Sequence, residues 1–373
     1  MRKNVIIKAL VLGSIGCAFT ITGMAANGHG QGYADSTTEV NGAKHEAVRS
    51  NWMDRTDITV GAQSKVGAQV SVETLQPLTH YDENSKSVLF VQGGIGKGGQ
   101  EDKASYFSGG NGGFWYPYNP ITKKGEQRYR PEEHHDTKSL GTVANVGLGY
   151  RVLSKHEHAY VGVNTFYDHS FSKKYNRISG GLEYVSGLNE VRANIYKGLN
   201  STKSEPYNVP LYEGYFEFLL DGGTAGYTVY KSQKALSGYD VSYARTFKNA
   251  RWARAYVGAY HWNGLGVKTH GEGPALALNV GKSHGWQAGT TLQLTPHVSL
   301  DVGYTSDNNH SSGAYGFVKY TLGISKFAWY GGKHSDDTIT NARARMLDKV
   351  DRSPMRVGNT YEEFWLVVAY DHL

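Results

Sequence analysis

Residues 158–168 read His-Ala-Tyr-Val-Gly-Val-Asn-Thr-Phe-Tyr-Asp and carry the clearest structural signal in the chain. Apolar and polar side chains alternate there with a period of two residues: Ala159, Val161, Val163 and Tyr167 against His158, Gly162, Asn164 and Asp168. Successive side chains of a β-strand point to opposite faces, so this pattern predicts a strand with one apolar face. The preceding stretch 143–152 alternates in the same way.

The same pattern recurs along the chain and predicts twelve strands. They are 57–64, 67–79, 87–96, 140–152, 158–169, 176–186, 190–198, 238–247, 253–263, 285–295, 297–305 and 314–325. Alternation alone also suits a soluble β-sandwich. Charged residues on the polar faces, and strands long enough to cross a bilayer, favour a transmembrane barrel with a wet or plugged lumen.

The connections between these strands support the barrel independently. Long or polar connections, such as 97–139 and 199–237, alternate with tight turns, such as 153–157 and 187–189. Outer-membrane barrels have one rim of short periplasmic turns and one of longer outer loops. We therefore predict an all-β, transmembrane antiparallel β-barrel of about 12 strands over 57–326. The segment 214–231 predicts a ribbon in an outer loop, or two further strands that would make 14.

Composition excludes several other classes. Of the 373 residues, 47 are Gly and 27 are Tyr, while 39% are hydrophobic and 19% are charged. Globular proteins average about 45–50% and about 25% respectively. This mixture argues against a helical bundle, a coiled coil and a disordered acidic chain. The net charge of +6 comes without a basic stripe, so no nucleic-acid partner is expected.

The amino terminus predicts a secretory signal peptide over residues 1–25, followed by a short periplasmic segment over 26–56. Arg2 and Lys3 precede an apolar run, and small residues lie near Ala25. A membrane-anchor helix is the alternative. Cys17 is the only cysteine and lies in a weak lipoprotein-like box, so lipidation is a second alternative.

The carboxyl-terminal part, 327–373, predicts a helical linker that plugs the barrel, followed by a short tail. Residues 336–352 have a helix-forming composition, and Pro354 would end the helix. Such a helix would be about 25 Å long, close to the apolar height of an outer-membrane barrel. We expect four cations in it to meet lumen-facing acids such as Asp168, Glu183 or Asp301: Arg343, Arg345, Lys349 and Arg352. The rival prediction makes 361–370 the closing strand of the barrel.

Two further features are candidates for function. An aromatic cluster in the first long loop is either a contact surface or an interfacial belt: Phe114, Trp115, Tyr116 and Tyr118. Asp168-His169 is the pair that a barrel enzyme could use. Neighbouring strand residues point to opposite faces, so we expect no dyad and no catalytic function. We also expect no cofactor and no metal.

Several short motifs, in order, resemble the inverse autotransporter β-domain of the intimin and invasin type. They are Val70–Leu78, Val88–Gly94, Asn145–Arg151, Val161–Asp168, Arg177–Tyr184, Gly238–Val241 and Leu347–Arg352. The resemblance implies a 12-stranded outer-membrane barrel with its amino terminus in the periplasm. It also implies a linker through the lumen that carries a passenger outside the cell. Barrel-assembly machinery, periplasmic chaperones and outer-membrane lipid are the partners that it implies.

The resemblance leaves three expectations for function. The residues after Arg352 contain no immunoglobulin-like repeats, which departs from the family pattern. The first expectation is a barrel that exports a C-terminal segment and serves adhesion through the tail or outer loops, with an unknown receptor. The second is a structural or porin-like barrel without a passenger. The third, more remote, is a barrel enzyme.

Overall fold

The computed structural model describes residues 52–82, 84–98, 100–108, 132–203, 207–210, 223–268, 277–280, 282–308, 312–325, 328–331, 341–353 and 356–370. Its strands, in chain order, are β1 (Thr56–Gln63), β2 (Gly67–Pro77), β3 (Ser87–Lys97), β4 (Gln100–Ser108), β5 (Glu132–Ser139), β6 (Thr142–Leu153), β7 (Ala159–Ser170), β8 (Tyr175–Ser186), β9 (Asn189–Gly198), β10 (Ser201–Lys203), β11 (Tyr207–Pro210), β12 (Gly223–Ala235), β13 (Ser237–Phe247), β14 (Ala250–Asn263), β15 (Leu265–Lys268), β16 (Ala277–Val280), β17 (Ser283–Gln293), β18 (Val298–Asp307), β19 (Gly313–Thr321) and β20 (Arg356–Tyr370). Short 3-10 helices span Trp52–Arg55 and Arg343–Arg345.

Twelve of these strands form a closed antiparallel barrel, in the order β1-β19-β18-β17-β14-β13-β9-β8-β7-β6-β3-β2. The first strand closes onto β19, with Val60 opposite Val318. Closure leaves no strand edge unpaired, which is what a sheet in lipid requires. The prediction of 12 strands is therefore confirmed, and the rival prediction that 361–370 closes the barrel is wrong.

The barrel has two unlike rims. We call one the short-turn rim, formed by the connections 78–86, 154–158, 187–188, 248–249 and 294–297. The other, the long-loop rim, carries the connections that follow β3, β7, β9, β14 and β18, together with the tight turn 64–66 after β1. The chain enters β1 at the short-turn rim and leaves β19 there, because an even number of strands alternates in direction.

Strands beyond the long-loop rim form a second sheet. Its order is β10-β12-β20-β4-β5, and β11 also pairs with β12. The last strand runs antiparallel to β12 and parallel to β4. Pairing of β12 with β20 supports the predicted outer ribbon over the 14-strand alternative, although residues 211–222 lie outside the described part of the chain. The hairpin of β15 and β16 lies in another loop.

The outward face of the barrel is apolar, as the alternation predicts. Exposed outward residues include Val146, Leu148, Val161, Val163 and Val302. The inward face of the same strands carries polar and charged residues, such as Arg151, Asn164 and Asp301, beside some apolar ones. Among the described residues, no helix is long and apolar enough to cross a membrane.

Glycines on the inward face allow large rings to lie flat against the barrel wall. Tyr256 is paired across the strands with Gly289, and a Cβ on that glycine would lie 2.5 Å from the Tyr256 hydroxyl. Phe166 covers Gly147 in the same way, again as a directly opposed pair. Part of the high glycine content therefore serves ring packing on strands rather than turns.

Candidate functional site: the lumen and the segment inside it

Residues 341–353 lie inside the barrel; we call them the threaded segment. Their contacts follow the chain from one rim to the other. Arg343 contacts the turn 154–158 at the short-turn rim. Val350 lies against Gln92 in the middle of β3, and Arg352 reaches Asp168 near the far end of β7. The segment is followed beyond the long-loop rim by β20.

The α-helix predicted over 336–352 is wrong in its described part. Residues 342–348 form turns around one short 3-10 helix, with backbone hydrogen bonds between residues three apart, and the chain is extended from Lys349 onward. The barrel wall binds the backbone groups that a helix would use internally. Arg151 donates from Nη1 to the carbonyls of Met346 (2.8 Å) and Asp348 (2.6 Å). The Gln92 amide accepts a hydrogen bond from Val350 N (2.8 Å) and donates to its carbonyl (3.3 Å). Buried backbone groups need partners, and here the wall supplies them.

Each of the four predicted cations lies against a carboxylate of the wall. The pairs are Arg343–Glu157 (2.6 Å), Arg345–Glu190 (2.6 Å), Lys349–Asp57 (2.5 Å) and Arg352–Asp168 (2.5 Å). Of the three expected acids, Asp168 meets the segment through an ion pair. Glu183 instead pairs with Arg151 of the wall, and Asp301 accepts a hydrogen bond from Tyr256.

Two of these pairs, Arg345–Glu190 and Arg352–Asp168, are almost completely buried. Arg345 and Glu190 each expose 2% of their side-chain surface, and Arg352 and Asp168 expose 1% and 0%. Glu190 also binds Arg192 (2.7 Å) and Arg254 (2.8 Å). Removing one member of a buried pair leaves an uncompensated charge, so these contacts hold the segment far more specifically than exposed pairs do.

The pair at the short-turn rim is different. Glu157 accepts hydrogen bonds from Arg343 and Lys86, and these lower its pKa to about 2. Arg343 also donates to the carbonyl of Ser85, while its own carbonyl accepts from the Tyr81 hydroxyl (2.6 Å). Burial raises the pKa of Tyr81, which keeps the hydroxyl a donor. The entry of the segment is therefore bound by two neighbouring turns.

Apolar contacts also hold the threaded segment against the wall. Ala342, Met346 and Val350 of the segment are buried in one cluster with inward side chains of the wall: Leu75, Val88, Phe90, Leu153, Tyr160, Phe166 and Val185. The Arg352 guanidinium lies 4.0 Å from the centre of the Phe166 ring. Cation–π contacts gain strength when they are desolvated, as this one is.

The other sequence candidates fall differently. The aromatic cluster Phe114, Trp115, Tyr116 and Tyr118 lies outside the described residues. Asp168 binds Arg177 and Arg352, whereas His169 is hydrogen-bonded to Asn176 (2.7 Å), so the two do not form a dyad. Within the described ranges, no group of three or more His, Cys, Asp or Glu is placed to hold a metal ion.

Arg151, Gln92 and Arg177 are lumen residues whose role toward the segment sequence reasoning missed. They bind the backbone of the segment, and Arg177 donates to the carbonyl of Ser353 (2.6 Å). The alternation of β6 is the available signal: it places Arg151 on the lumen side, because a charged side chain cannot face lipid. Its partner could not be inferred, because that contact spans almost two hundred positions in sequence.

A closed barrel with an apolar outer face and a polar, occupied lumen defines an outer-membrane β-barrel protein. Residues 132–354, more than half of the chain, match the family model "Inverse autotransporter, beta-domain". The chain belongs to this family, and its place is the outer membrane of a Gram-negative bacterium. Membrane lipid and the barrel-assembly machinery are its general partners. The motifs at Val70–Leu78 and Val88–Gly94 precede the matched range.

Solved structures resemble the chain only distantly, and no curated protein matches it. A chain described in "Unveiling the Mechanism Behind the in-meso Crystallization of Membrane Proteins" is 14% identical, with 82% of this chain and 99% of that chain covered and a TM-score of 0.49. Outer membrane phospholipase A from Escherichia coli is 11% identical, with 71% and 88% covered and a TM-score of 0.33. The β-domain of the Bordetella autotransporter BrkA is 8% identical, with 72% and 97% covered and a TM-score of 0.25. At these scores the likenesses carry no argument about function.

Proposed function

We propose that this barrel anchors and exports its own C-terminal segment to the cell surface, with residues 1–25 directing secretion as a signal peptide. One observation carries the proposal: the threaded segment contacts the wall in chain order from the short-turn rim to the long-loop rim. Short turns face the periplasm in outer-membrane barrels. The strand β20, which follows the segment, would then lie outside the cell.

The buried ion pairs support a fixed path for the exported chain. Arg345 and Arg352 pair with Glu190 and Asp168 at different heights of the wall. A segment shifted along the lumen by a few residues would leave these charges buried without partners, which is costly. The pairs therefore set where the segment stops, and they leave the residues after Ser353 beyond the long-loop rim.

Protease treatment of intact cells tests the direction of export. An epitope tag placed after Leu373 should be cleaved on intact cells, whereas the same tag inserted between Lys155 and His156, in a short turn, should be protected until the cells are opened. Protection of the C-terminal tag on intact cells, with the barrel folded, would overturn export and favour a structural or porin-like barrel.

Adhesion through the tail or the outer loops is the second part of the proposal. Its basis is that the outer sheet joins β20 to strands from two long loops. The loop cluster Phe114, Trp115, Tyr116 and Tyr118 supplies residue types that are favoured as binding anchors. Cells carrying Ser at these four positions should adhere less than wild-type cells with equal surface expression. Unchanged adhesion on every surface tested would remove the cluster from the proposal.

A further inference from the structure

The two halves of the lumen wall are not equally covered. Every inward residue of β7, from Tyr160 to Ser170, is buried, and the inward residues of β8 and β9 are almost all buried too. On the opposite half, inward residues in the middle of the strands are only half-buried: Gln287, Thr291, Asp301, Gly303 and Tyr315. The threaded segment therefore packs against one half of the barrel.

The segment shows the same asymmetry. Val350 and Arg352 expose 5% of the residue and 1% of the side chain, whereas the side chain of Asp351 between them is 52% exposed. In an extended chain, neighbouring side chains point to opposite sides. Val350 and Arg352 face the packed half. The Asp351 carboxylate lies at the border of the two halves, 3.6 Å from Arg192 of β9 and 3.8 Å from Arg254 of β14, and its exposed side faces the half-covered wall. Within the described part of the chain, no side chain fills the space on that side.

Ring packing keeps this space open. Tyr256 lies over Gly289 of β17, and Tyr315 lies over Gly303 of β18, each as a directly opposed pair. The two hydroxyls are 2.5 Å apart, and Tyr256 donates to Asp301 at 2.6 Å. Hydrogen bonding and the missing Cβ atoms hold both rings flat against the wall. The aromatic volume therefore does not project into the lumen.

On this wall, the described charged side chain without an ion pair is a carboxylate. Arg254 lies between Glu190 (2.8 Å) and Asp351 (3.8 Å), and Lys349 and Lys319 lie near Asp57. Among the described residues, Asp301 makes its hydrogen bond to a neutral hydroxyl and takes part in no ion pair. Carboxylates that line a pore favour cations over anions.

We propose that a water-filled passage for small cations runs beside the threaded segment, bounded by β17, β18, β19 and Asp351. The barrel then conducts ions with its C-terminal segment in place. This activity is separate from export and does not depend on where the tail ends.

Currents through the full chain in planar lipid bilayers test the passage. With the segment in place, we expect small stepwise currents that prefer K⁺ over Cl⁻. Thr291→Trp places a large side chain in the passage and should remove most of the current. Thr290→Trp is the matched control, because the neighbouring threonine faces outward and its variant should conduct as the wild type does. Asp301→Asn should move the reversal potential in a KCl gradient toward zero.

A second measurement reads the water directly. In a Cys17→Ser background, Thr291→Cys should react with a small charged thiol reagent in the folded barrel, whereas Ser179→Cys on the packed half should not. Absence of current in the full chain overturns the proposal, even if Thr291→Cys reacts, since the space would then be wet but too narrow for ions. Equal currents in the two Trp variants, or equal labelling of the two cysteines, also overturn it.

Discussion

Three arginines converge on Glu190 inside the barrel. Its carboxylate binds Arg345 of the threaded segment and Arg192 and Arg254 of the wall, at 2.6–2.8 Å. It exposes 2% of its side chain, so water cannot replace it. Glu157 holds Arg343 in a similar geometry, but 37% of its side chain is exposed at the rim. Both glutamates therefore bind an arginine of the threaded segment, but Glu190 does so in a buried site and Glu157 in contact with water.

These two sites predict a large difference for one substitution. Glu190→Gln leaves three guanidinium groups around a neutral amide and should lower the free energy of unfolding by about 3–5 kcal/mol. Glu157→Gln should cost less than Glu190→Gln, because water screens the exposed pair. Urea unfolding followed by the mobility of unboiled protein in detergent gels measures both. Equal unfolding midpoints for the two variants would contradict the burial argument.

The lowered pKa of Glu157 predicts a local dependence on pH. A carboxyl with a folded-state pKa below its unfolded value adds stability above the unfolded pKa and loses it as the pH falls through the folded one. With a folded pKa of about 2 and an ordinary value of 4.5, that window is pH 4.5 to about 2. Spin labels at Lys155 and Asn341 should stay close until the pH approaches 2.

The matched control is Glu157→Gln with the same labels. Its label distance should not change over that window, because the titrating group is absent. A wild-type distance that widens already near pH 4.5 would show that the hydrogen bonds from Arg343 and Lys86 do not hold the carboxylate ionised.

At the scale of elements, the facing of each barrel strand is fixed because one side of the strand meets lipid and the other meets the lumen. In β17, Thr290 faces outward and Thr291 faces the lumen, as the exposed Trp286 and the buried Gln293 fix the alternation. The threaded segment needs neither alternation nor helix, since Arg151 and Gln92 bind its backbone. The wall thus holds a sequence of helix-forming composition as short turns followed by an extended stretch.

The adjacent threonines test the facing of β17. Thr290→Arg puts a cation into lipid and should cost about 2–4 kcal/mol near the midplane. Thr291→Arg puts it into the lumen and should assemble nearly as well as the wild type. The fraction of heat-modifiable protein in outer membranes measures assembly. If Thr291→Arg is the poorer of the two, the register is displaced by one residue, which would exchange the faces of the strand.

For the whole molecule, the decisive contact is the seam between β1 and β19. It joins residues near the two ends of the barrel, with Thr59 opposite Lys319. The seam removes the last free edges, so the hydrogen-bonded wall resists detergent until it is heated. Pairing of β20 with β4 and β12 takes place outside this closed wall and leaves the seam unaffected.

Closure predicts that unboiled protein migrates faster than boiled protein in detergent gels. Cysteines at Thr59 and Lys319, in a Cys17→Ser background, should form a disulfide under oxidation, because directly opposed residues lie within disulfide range. The matched control pairs Thr59 with a cysteine at Lys197, on a strand that is not a neighbour of β1, and should not crosslink. Identical migration before and after boiling, together with no seam disulfide, would exclude the closed barrel.

The sequence by itself determined the barrel strands and their facing. Residues 158–168 and their counterparts alternate with a period of two, and this period follows from local backbone geometry and from the contrast between lipid and lumen. All twelve predicted strands overlap the observed barrel strands, such as 176–186 with Tyr175–Ser186. The four cations of the tail could also be chosen from the sequence, because charges there need lumen acids.

Only the tertiary structure decided what those charges meet and which shape the segment takes. Arg345 binds Glu190, and Arg151 binds the carbonyl of Met346. These partners are so far apart in the sequence that no local pattern predicts them. The closed wall presents donors to the carbonyls of Met346, Asp348 and Val350, so the segment takes turns and extended backbone in place of an α-helix. The burial of Asp168 and Glu190 likewise depends on closure, since water leaves the packed half only when the segment lies inside the barrel.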